Sequence, residues 1–461
     1  MFRVLKGVDN ETYDAVDIEI NGEKVAVEKC RVSAMPFNRV FPGYQRPIDQ
    51  TEESGFLRIV ADEPLNFVIS GQTAPKRAVV RPLSKNVEIA RDGKTLKFTV
   101  VEYGKYSLEI GDEHTSVAIF VCRPRDFQEY GTPTKYFGAG VHDAGKIILK
   151  SGDRVFIDEN AVVKGTFFGE NLSDVIIYGY GVVDGGNEER TSPDCYGKIT
   201  NGCIKFYNCE NVISDGFTAV DSAIWVVNFF ACKNVKLNDV KIVGHWKYNC
   251  DGIDVVNSSN VEISDCFIRA FDDVITLKGI LPYRDRSVSD ITVKNCVLWC
   301  GWGRTLEIGL ETLAEKYENI TFENCDLIHN SAVALDVQSG DYAKISGVKF
   351  KDLRVEYQTS ALPEIYQNSD DEKYGGYGKQ YSPILIKIST WEYYLGEDFG
   401  DYDKELKIVR QNRAAVIDDI IFENITIYLE DGCLTPETII DVKYPHRLGR
   451  VSFKNVITIK S

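Results

Sequence analysis

The chain is predicted to be all-β: a right-handed parallel β-helix preceded by an N-terminal antiparallel β-sandwich. Three observations predict this. From about residue 170 onward one phrase recurs, apolar-x-apolar-x-Asn/Asp-apolar. Around it, apolar and polar residues alternate with the period of two that a strand imposes, and amphipathic helical stretches are nearly absent. The first 120 or so residues alternate as well but show no such repeat.

The repeat reads Val235-Lys236-Leu237-Asn238-Asp239-Val240, then Ile263-Ser264-Asp265-Cys266, Val293-Lys294-Asn295-Cys296, Phe322-Glu323-Asn324-Cys325 and Phe350-Lys351-Asp352-Leu353. Its Asn/Asp positions fall at 239, 265, 295, 324 and 352, intervals of 26, 30, 29 and 28 residues; copies return at Asn424 and Asn455 after a gap of 72. A period of this length built from short strands indicates a stacked solenoid, each coil adding about 4.8 Å along the axis. A leucine-rich repeat lacks support because the leucine ladder and the helical half-repeat are missing. A β-propeller lacks its blade marks and hairpin spacing.

The sandwich is expected over residues 1–125, from strands such as Val25-Ala26-Val27, Phe56-Leu57-Arg58-Ile59-Val60, Leu65-Asn66-Phe67-Val68-Ile69 and Leu96-Lys97-Phe98-Thr99-Val100, with turns at Asn21-Gly22 and Asp92-Gly93. A linker around Arg123-Pro124-Arg125 to Thr132-Pro133 leads into the helix domain, 126–461, near Gly138-Ala139-Gly140. That Gly-x-Gly is a turn signal, since no βαβ pattern follows it. Residues 356–414 look like an insertion wrapped around one coil strand, Ile384-Leu385-Ile386-Lys387-Ile388.

Composition excludes several functions. A length of 461 residues, 44% of them hydrophobic, allows a large core, and a net charge of −16 disfavours nucleic acid, anionic membranes and, mildly, a polyanionic substrate. No segment approaches the roughly 20 apolar residues that span a bilayer. The start, Met1-Phe2-Arg3-Val4-Leu5-Lys6, lacks a secretory apolar run, so a cytoplasmic location is expected unless a leader has been removed. Several of the twelve cysteines repeat in one slot (Cys266, Cys296, Cys325), as a small buried apolar residue would. Zinc-type spacing is missing, and neither metal nor cofactor is expected. The expected partner is a carbohydrate, and an oligomer is compatible with the sequence.

The chemistry concentrates in two carboxylate stations: Asp251, in Asn249-Cys250-Asp251-Gly252-Ile253-Asp254, and the tandem Asp272-Asp273. Each precedes a short alternating strand, Ile253-Asp254-Val255 and Ile275-Thr276-Leu277. If these strands stack in register, Asp251 lies directly above Asp273, with Asp272 beside them. Crowded like charges push at least one carboxyl upward, a cost that acid–base work on a glycosidic bond explains. Alternation points Ile253/Val255, Ile275/Leu277, Leu306/Ile308, Leu335/Val337 and Ile386/Ile388 inward. Between them Asp254, Thr276, Glu307, Asp336 and Lys387 are expected to face solvent.

The Asn-x-Asp-Gly-Ile-Asp phrase, followed 21 residues after Asp251 by Asp-Asp, resembles the polygalacturonase and dextranase–isopullulanase group of inverting glycoside hydrolases. Tyr136-Phe137-Gly138-Ala139-Gly140-Val141-His142 and Ala161-Val162-Val163-Lys164-Gly165 are similar to the opening of the same helix, and a leading sandwich is similar to the dextranase branch. The resemblance covers roughly Tyr136 to Val337. It implies that Asp272 is the general acid and that Asp251 and Asp273 hold and deprotonate the attacking water. An inverting site leaves about 6.5–9.5 Å between acid and base for that water. Neighbouring charge would keep the acid protonated.

Two departures from the resemblance matter. The Gly-His-Gly histidine aligns with Arg304 in Gly303-Arg304-Thr305-Leu306-Glu307-Ile308-Gly309, and the Arg-Ile-Lys uronate reader aligns with Asp336-Val337-Gln338. The donor fork that reads an acid is lost, so a neutral sugar is a better expectation than galacturonan. Cys300-Gly301-Trp302-Gly303 resembles the Gly-Trp of the dextranase branch.

Blander readings stand beside these. Asp and Asn are ordinary turn residues, and Asp254 belongs with them unless it aids substrate binding. Arg304 could simply balance charge, Glu307 could be rim solvation, and Lys278 could touch a sugar hydroxyl or stabilise Asp273. Asp336 would face substrate. Trp246, Trp302 and Trp391 are candidate stacking platforms, though filling a loop is the commoner use of an indole. His245 reads as a satisfied loop histidine. The insertions near Tyr357–Tyr381 and Trp391–Tyr402 fit a walled cleft and exo-action. The alternatives are a polygalacturonase-type pectin hydrolase, a lyase, which needs calcium or a basic residue facing a uronate, and a non-catalytic carbohydrate-binding β-helix, which has no need of crowded carboxyls.

Overall fold

The computed structural model describes residues 1–7, 11–34, 51–70, 77–190, 202–359, 383–390, 415–443 and 445–460, together with residue 48 and the backbone of 37–38 and 366–367. Among them there is no α-helix, only strands and short 3-10 turns. From Lys135–Phe137 to Val451–Lys460 the strands form a right-handed parallel β-helix, every pairing parallel and made between successive coils except that of Tyr366–Gln367, which pairs with Phe37–Asn38.

The predicted Asn/Asp slot is where each coil turns. Asp239, Asp265, Asn295, Asn324, Asp352, Asn424 and Asn455 all have φ between 51° and 57°. Asn and Asp tolerate this left-handed geometry better than other residues carrying a Cβ. Their side chains also bridge coils, Asn324 Nδ2 donating to Asn295 Oδ1 at 2.8 Å and Asn455 to Asn424 at 2.9 Å. A second ladder, Asp174–Asn211–Asn234–Asn260, runs along another turn and was not read from the repeat. Inside, residues repeat by type. The buried Phe322, Phe350 and Phe422 stack on one another and on the exposed Phe453 of the last coil, with centroids 4.8, 4.9 and 5.3 Å apart, and Cys266, Cys296 and Cys325 are buried free thiols.

The N-terminal residues form two sheets around their own core of Ile18, Leu57, Ile59, Phe67, Phe98, Leu108 and Ile119. One pairing departs from the antiparallel expectation: Val117–Cys122 runs parallel to Gly55–Val60. Between these segments the chain visits the opposite sheet, at Leu65–Ser70 and Thr95–Val100, and that excursion supplies the long connection a parallel pair needs. The sandwich packs on the helix face carrying Phe267, Val297 and Trp299, with the Phe120 and Phe267 rings 5.1 Å apart. The next face round the coil carries the strands that follow the carboxylate stations.

Candidate active site

Four strands stack to make this face: Ile253–Val256, Ile275–Gly279, Arg304–Thr312 and Val333–Ser339. The register aligns Ile253 with Ile275, Leu306 and Leu335, and Thr276 with Glu307 and Asp336. The inward residues are buried as predicted. In the preceding turns, Gly252 N donates to Asp273 O at 2.8 Å and Ile253 N to Val274 O at 3.0 Å, so Asp251 and Asp273 sit at one level of adjacent coils. Asp272 N donates to Cys250 O at 3.2 Å, and Asp272 Oδ1 accepts the Asp273 N–H at 3.1 Å. Gly303 passes beneath both residues. A Cβ there would collide with Oδ1 of Asp272 and of Asp273, so only glycine permits this approach, and the two oxygens lie within about 5 Å of each other, closer than the separation expected between an inverting acid and base.

Lys278 is the hub of the cluster. Its ammonium lies 3.4 Å from Asp273 Oδ2, 3.5 Å from Asp251 Oδ2, 3.6 Å from Glu311 Oε2 and 4.0 Å from Asp254 Oδ1, above the Trp225 ring at 5.0 Å. Arg304 closes the other side, 3.7 Å from Asp273 Oδ1, 3.9 Å from Glu307 Oε1 and 3.7 Å from Asp336 Oδ2. Its backbone N–H also donates to Asp273 Oδ1 at 2.9 Å.

These neighbours make the carboxyls unequal. Burial opposes charge on Asp273, but Lys278, Arg304 and the hydrogen bonds it accepts hold its carboxyl below the usual range. Burial, then the charges of Asp254 and Asp272, push Asp251 well above it. Burial also raises Asp254 and Glu307, and lifts Asp336 to about 7. The cluster therefore holds an ionised carboxylate beside acids that keep their protons, the division of labour acid–base chemistry requires.

Three expectations need correction. Asp254, Thr276, Glu307 and Asp336 point outward but do not face solvent, each being 0% exposed. Alternation fixes the side a residue takes, not what lies over it. Asp254 is not a turn residue; it lies within a strand and pairs with Thr276. Glu307 is not at a solvated rim, because Gln338 Nε2 donates to its Oε1 at 2.5 Å. Trp302 lies in the turn of the coil after Asp272–Asp273, stacked on Phe271 at 5.5 Å and flanked by Tyr248 at 5.9 Å. Trp246 is part-buried, its carbonyl accepting the Ser33 hydroxyl at 3.0 Å. His245 is buried and pushed down to about 3 by that burial. Trp391 and most of the 356–414 insertion lie outside the described residues.

Two contributors were missed. Glu311 reaches Lys278 because the pairing shifts register between Leu277 and Gly279, an irregularity that leaves no mark on the alternation. Gln338 appeared only as a lost lysine, not as the donor that anchors Glu307.

Residues 136–390, more than half of the chain, match the family described as Glycosyl hydrolases family 28. The chain belongs to that family. Its relatives include a probable polygalacturonase of Arabidopsis thaliana, 33% identical over 62% of this chain and 60% of that protein. An exopolygalacturonase from the same plant is 26% identical over 48% of this chain and 52% of its own length. The chain thus spans between half and two thirds of the length of these relatives. Among solved structures, Dex49A from Penicillium minioluteum superposes with a TM-score of 0.58, covering 92% of this chain and 90% of that one at 13% identity, a likeness of fold. The family 28 match contains Asp251, Asp272, Asp273, Lys278, Arg304, Glu307 and Asp336.

Proposed function

We propose that this family 28 chain is an inverting glycoside hydrolase acting on a neutral glycan. The observation that carries the reading is the Lys278-centred cluster, in which Asp273 is held ionised against Asp251 while Asp272 adjoins both. Asp272 donates its proton to the glycosidic oxygen as the C–O bond breaks. Asp273 accepts a proton from water, Asp251 holds that water by a hydrogen bond, and the water oxygen bonds to the anomeric carbon from the opposite face. The carboxyl of Asp272 is left ionised and is reprotonated from solvent.

The preference for a neutral sugar rests on Asp336, Glu307 and Gln338. They leave this strand face with buried acids and an amide in place of a basic reader, and Arg304 and Lys278 are each already engaged by carboxyls, so an incoming uronate would meet no unopposed cation among these residues. The names of the relatives favour galacturonan instead, and the test separates the two. Purified protein is offered neutral and uronic oligosaccharides, and released reducing ends are measured. Cleavage of a neutral member, with oligogalacturonate at least about a hundredfold slower, supports the reading. Faster cleavage of oligogalacturonate overturns the neutral assignment. Asp272→Asn is expected to lose about a thousandfold in kcat, and full retention would remove its role as acid.

A further inference from the structure

We propose that Glu307 is a positioning residue: a neutral carboxylic acid, anchored by Gln338, that donates its proton in a hydrogen bond to Asp273 and fixes that carboxylate for its water. This rests on Asp273 being the base, and it adds a residue outside the Asp251/Asp272/Asp273 group. Glu307 stands on the coil after Thr276, and Gln338 lies two residues beyond Asp336 on the next coil. From there the amide reaches back and occupies Glu307 Oε1 at 2.5 Å. The other oxygen, Oε2, is buried and receives no hydrogen bond among the described residues. An ionised oxygen buried in this way would lack a donor among the described residues, whereas a protonated one needs only an acceptor.

The groups facing Glu307 are Asp273 from the coil before, Arg304 on its own strand, Asp336 from the coil after, and Lys278. The two cations are already engaged. Lys278 lies among Asp273, Asp251 and Glu311, and Arg304 divides its charge between Asp273 and Asp336 as well as Glu307, whose Oε1 it meets only at 3.9 Å. Of the two carboxyls that face it, Asp273 is the one held ionised and so the stronger acceptor, while burial keeps Asp336 protonated up to about 7. In agreement, a side-chain hydrogen bond from Glu307 helps to hold the Asp273 carboxyl down, and burial followed by the Asp273 charge holds Glu307 up. The chain of donors runs Gln338 to Glu307 to Asp273.

Two readouts test this. Infrared difference spectra of wild type and Glu307→Gln at neutral pH need no substrate, so this arm stands or falls apart from the glycosidase reading. The wild type is expected to show the carbonyl stretch of one buried neutral acid that the variant lacks. Loss of carboxylate bands instead would overturn the proposal. In turnover, Glu307→Ala is expected to lose about a hundredfold in kcat with KM little changed, and Glu307→Gln, whose amide can still donate, to recover most of that rate. Equal losses in the two variants, or a defect mainly in KM, would overturn it and make Glu307 a sugar ligand. Thermal unfolding checks that both variants fold. Gln338→Leu, which removes only the anchor, should lower kcat in the same sense; an unchanged kcat there would likewise count against the proposal.

Discussion

Lys278 decides the state of the site at the scale of single residues. One ammonium within 4.0 Å of four carboxyl groups offsets the burial that opposes ionisation of Asp273. Replacing it with methionine removes a cation that holds Asp273 down, so the acidic limb of the kcat/KM profile should move to higher pH. Gly303→Ala should cost about a hundredfold in kcat by displacing both carboxyls that the glycine underlies. Asp336 gives a linkage prediction. Burial lifts it to about 7, so between the ordinary carboxylate range and about 7 the folded state keeps a proton that the unfolded chain releases. Its contribution to stability is therefore lost as pH rises through that window. Asp336→Asn should melt a few degrees higher than wild type at pH 8 and gain little at pH 4, as thermal unfolding at the two values will show. Much of this scale was legible. The juxtaposition of Asp251, Asp272 and Asp273 was legible because a two-residue count back from aligned strands survives any error in side-chain placement. The burial of Asp254 and Glu307 and the reach of Glu311 were not, because covering chain and a shift of register leave no periodic trace.

A coil turn is the unit at the scale of elements. Asn324 has φ 51°, accepts from Arg354 Nη1 at 2.8 Å and donates to Asn295. Asn324→Ala should cost about 1–2 kcal/mol through the left-handed backbone alone, while Asn324→Gly keeps the backbone and loses only the side-chain bonds. Chemical denaturation will rank the two, with glycine the milder. The same turns keep the strands above and below in step, so Asp251 remains over Asp273. The solenoid was legible because each coil repeats one burial problem and solves it with the same residue types. The parallel pairing of Gly55–Val60 with Val117–Cys122 was not, since partner choice in a sandwich depends on a crossing that alternation does not encode.

At the scale of the whole molecule, buried ion pairs join sandwich to helix. Arg81, 3% exposed, bridges Glu109 of the sandwich and Glu356 of the helix, and His329 Nε2 meets Glu109 Oε1 at 2.7 Å. Arg58 binds Glu28 through two nitrogens and reaches the carbonyl of Tyr180 at 2.7 Å. Arg81→Met removes the cation from buried Glu356 and leaves Glu109 with His329 as its remaining partner, and should cost about 3–5 kcal/mol. Calorimetry should show one transition for wild type and, in the variant, a lower or divided one. None of this could be read in advance, because Arg81 and Glu356 are 275 residues apart and neither belongs to the repeat. The function proposed for the molecule is a single displacement in which water, held by Asp251 and Asp273, attacks while Asp272 protonates the departing sugar. Proton NMR of the first product, recorded before mutarotation, tests it most directly. A newly formed reducing end of the anomeric configuration opposite to the cleaved bond is the predicted result; the same configuration as the substrate would contradict the account.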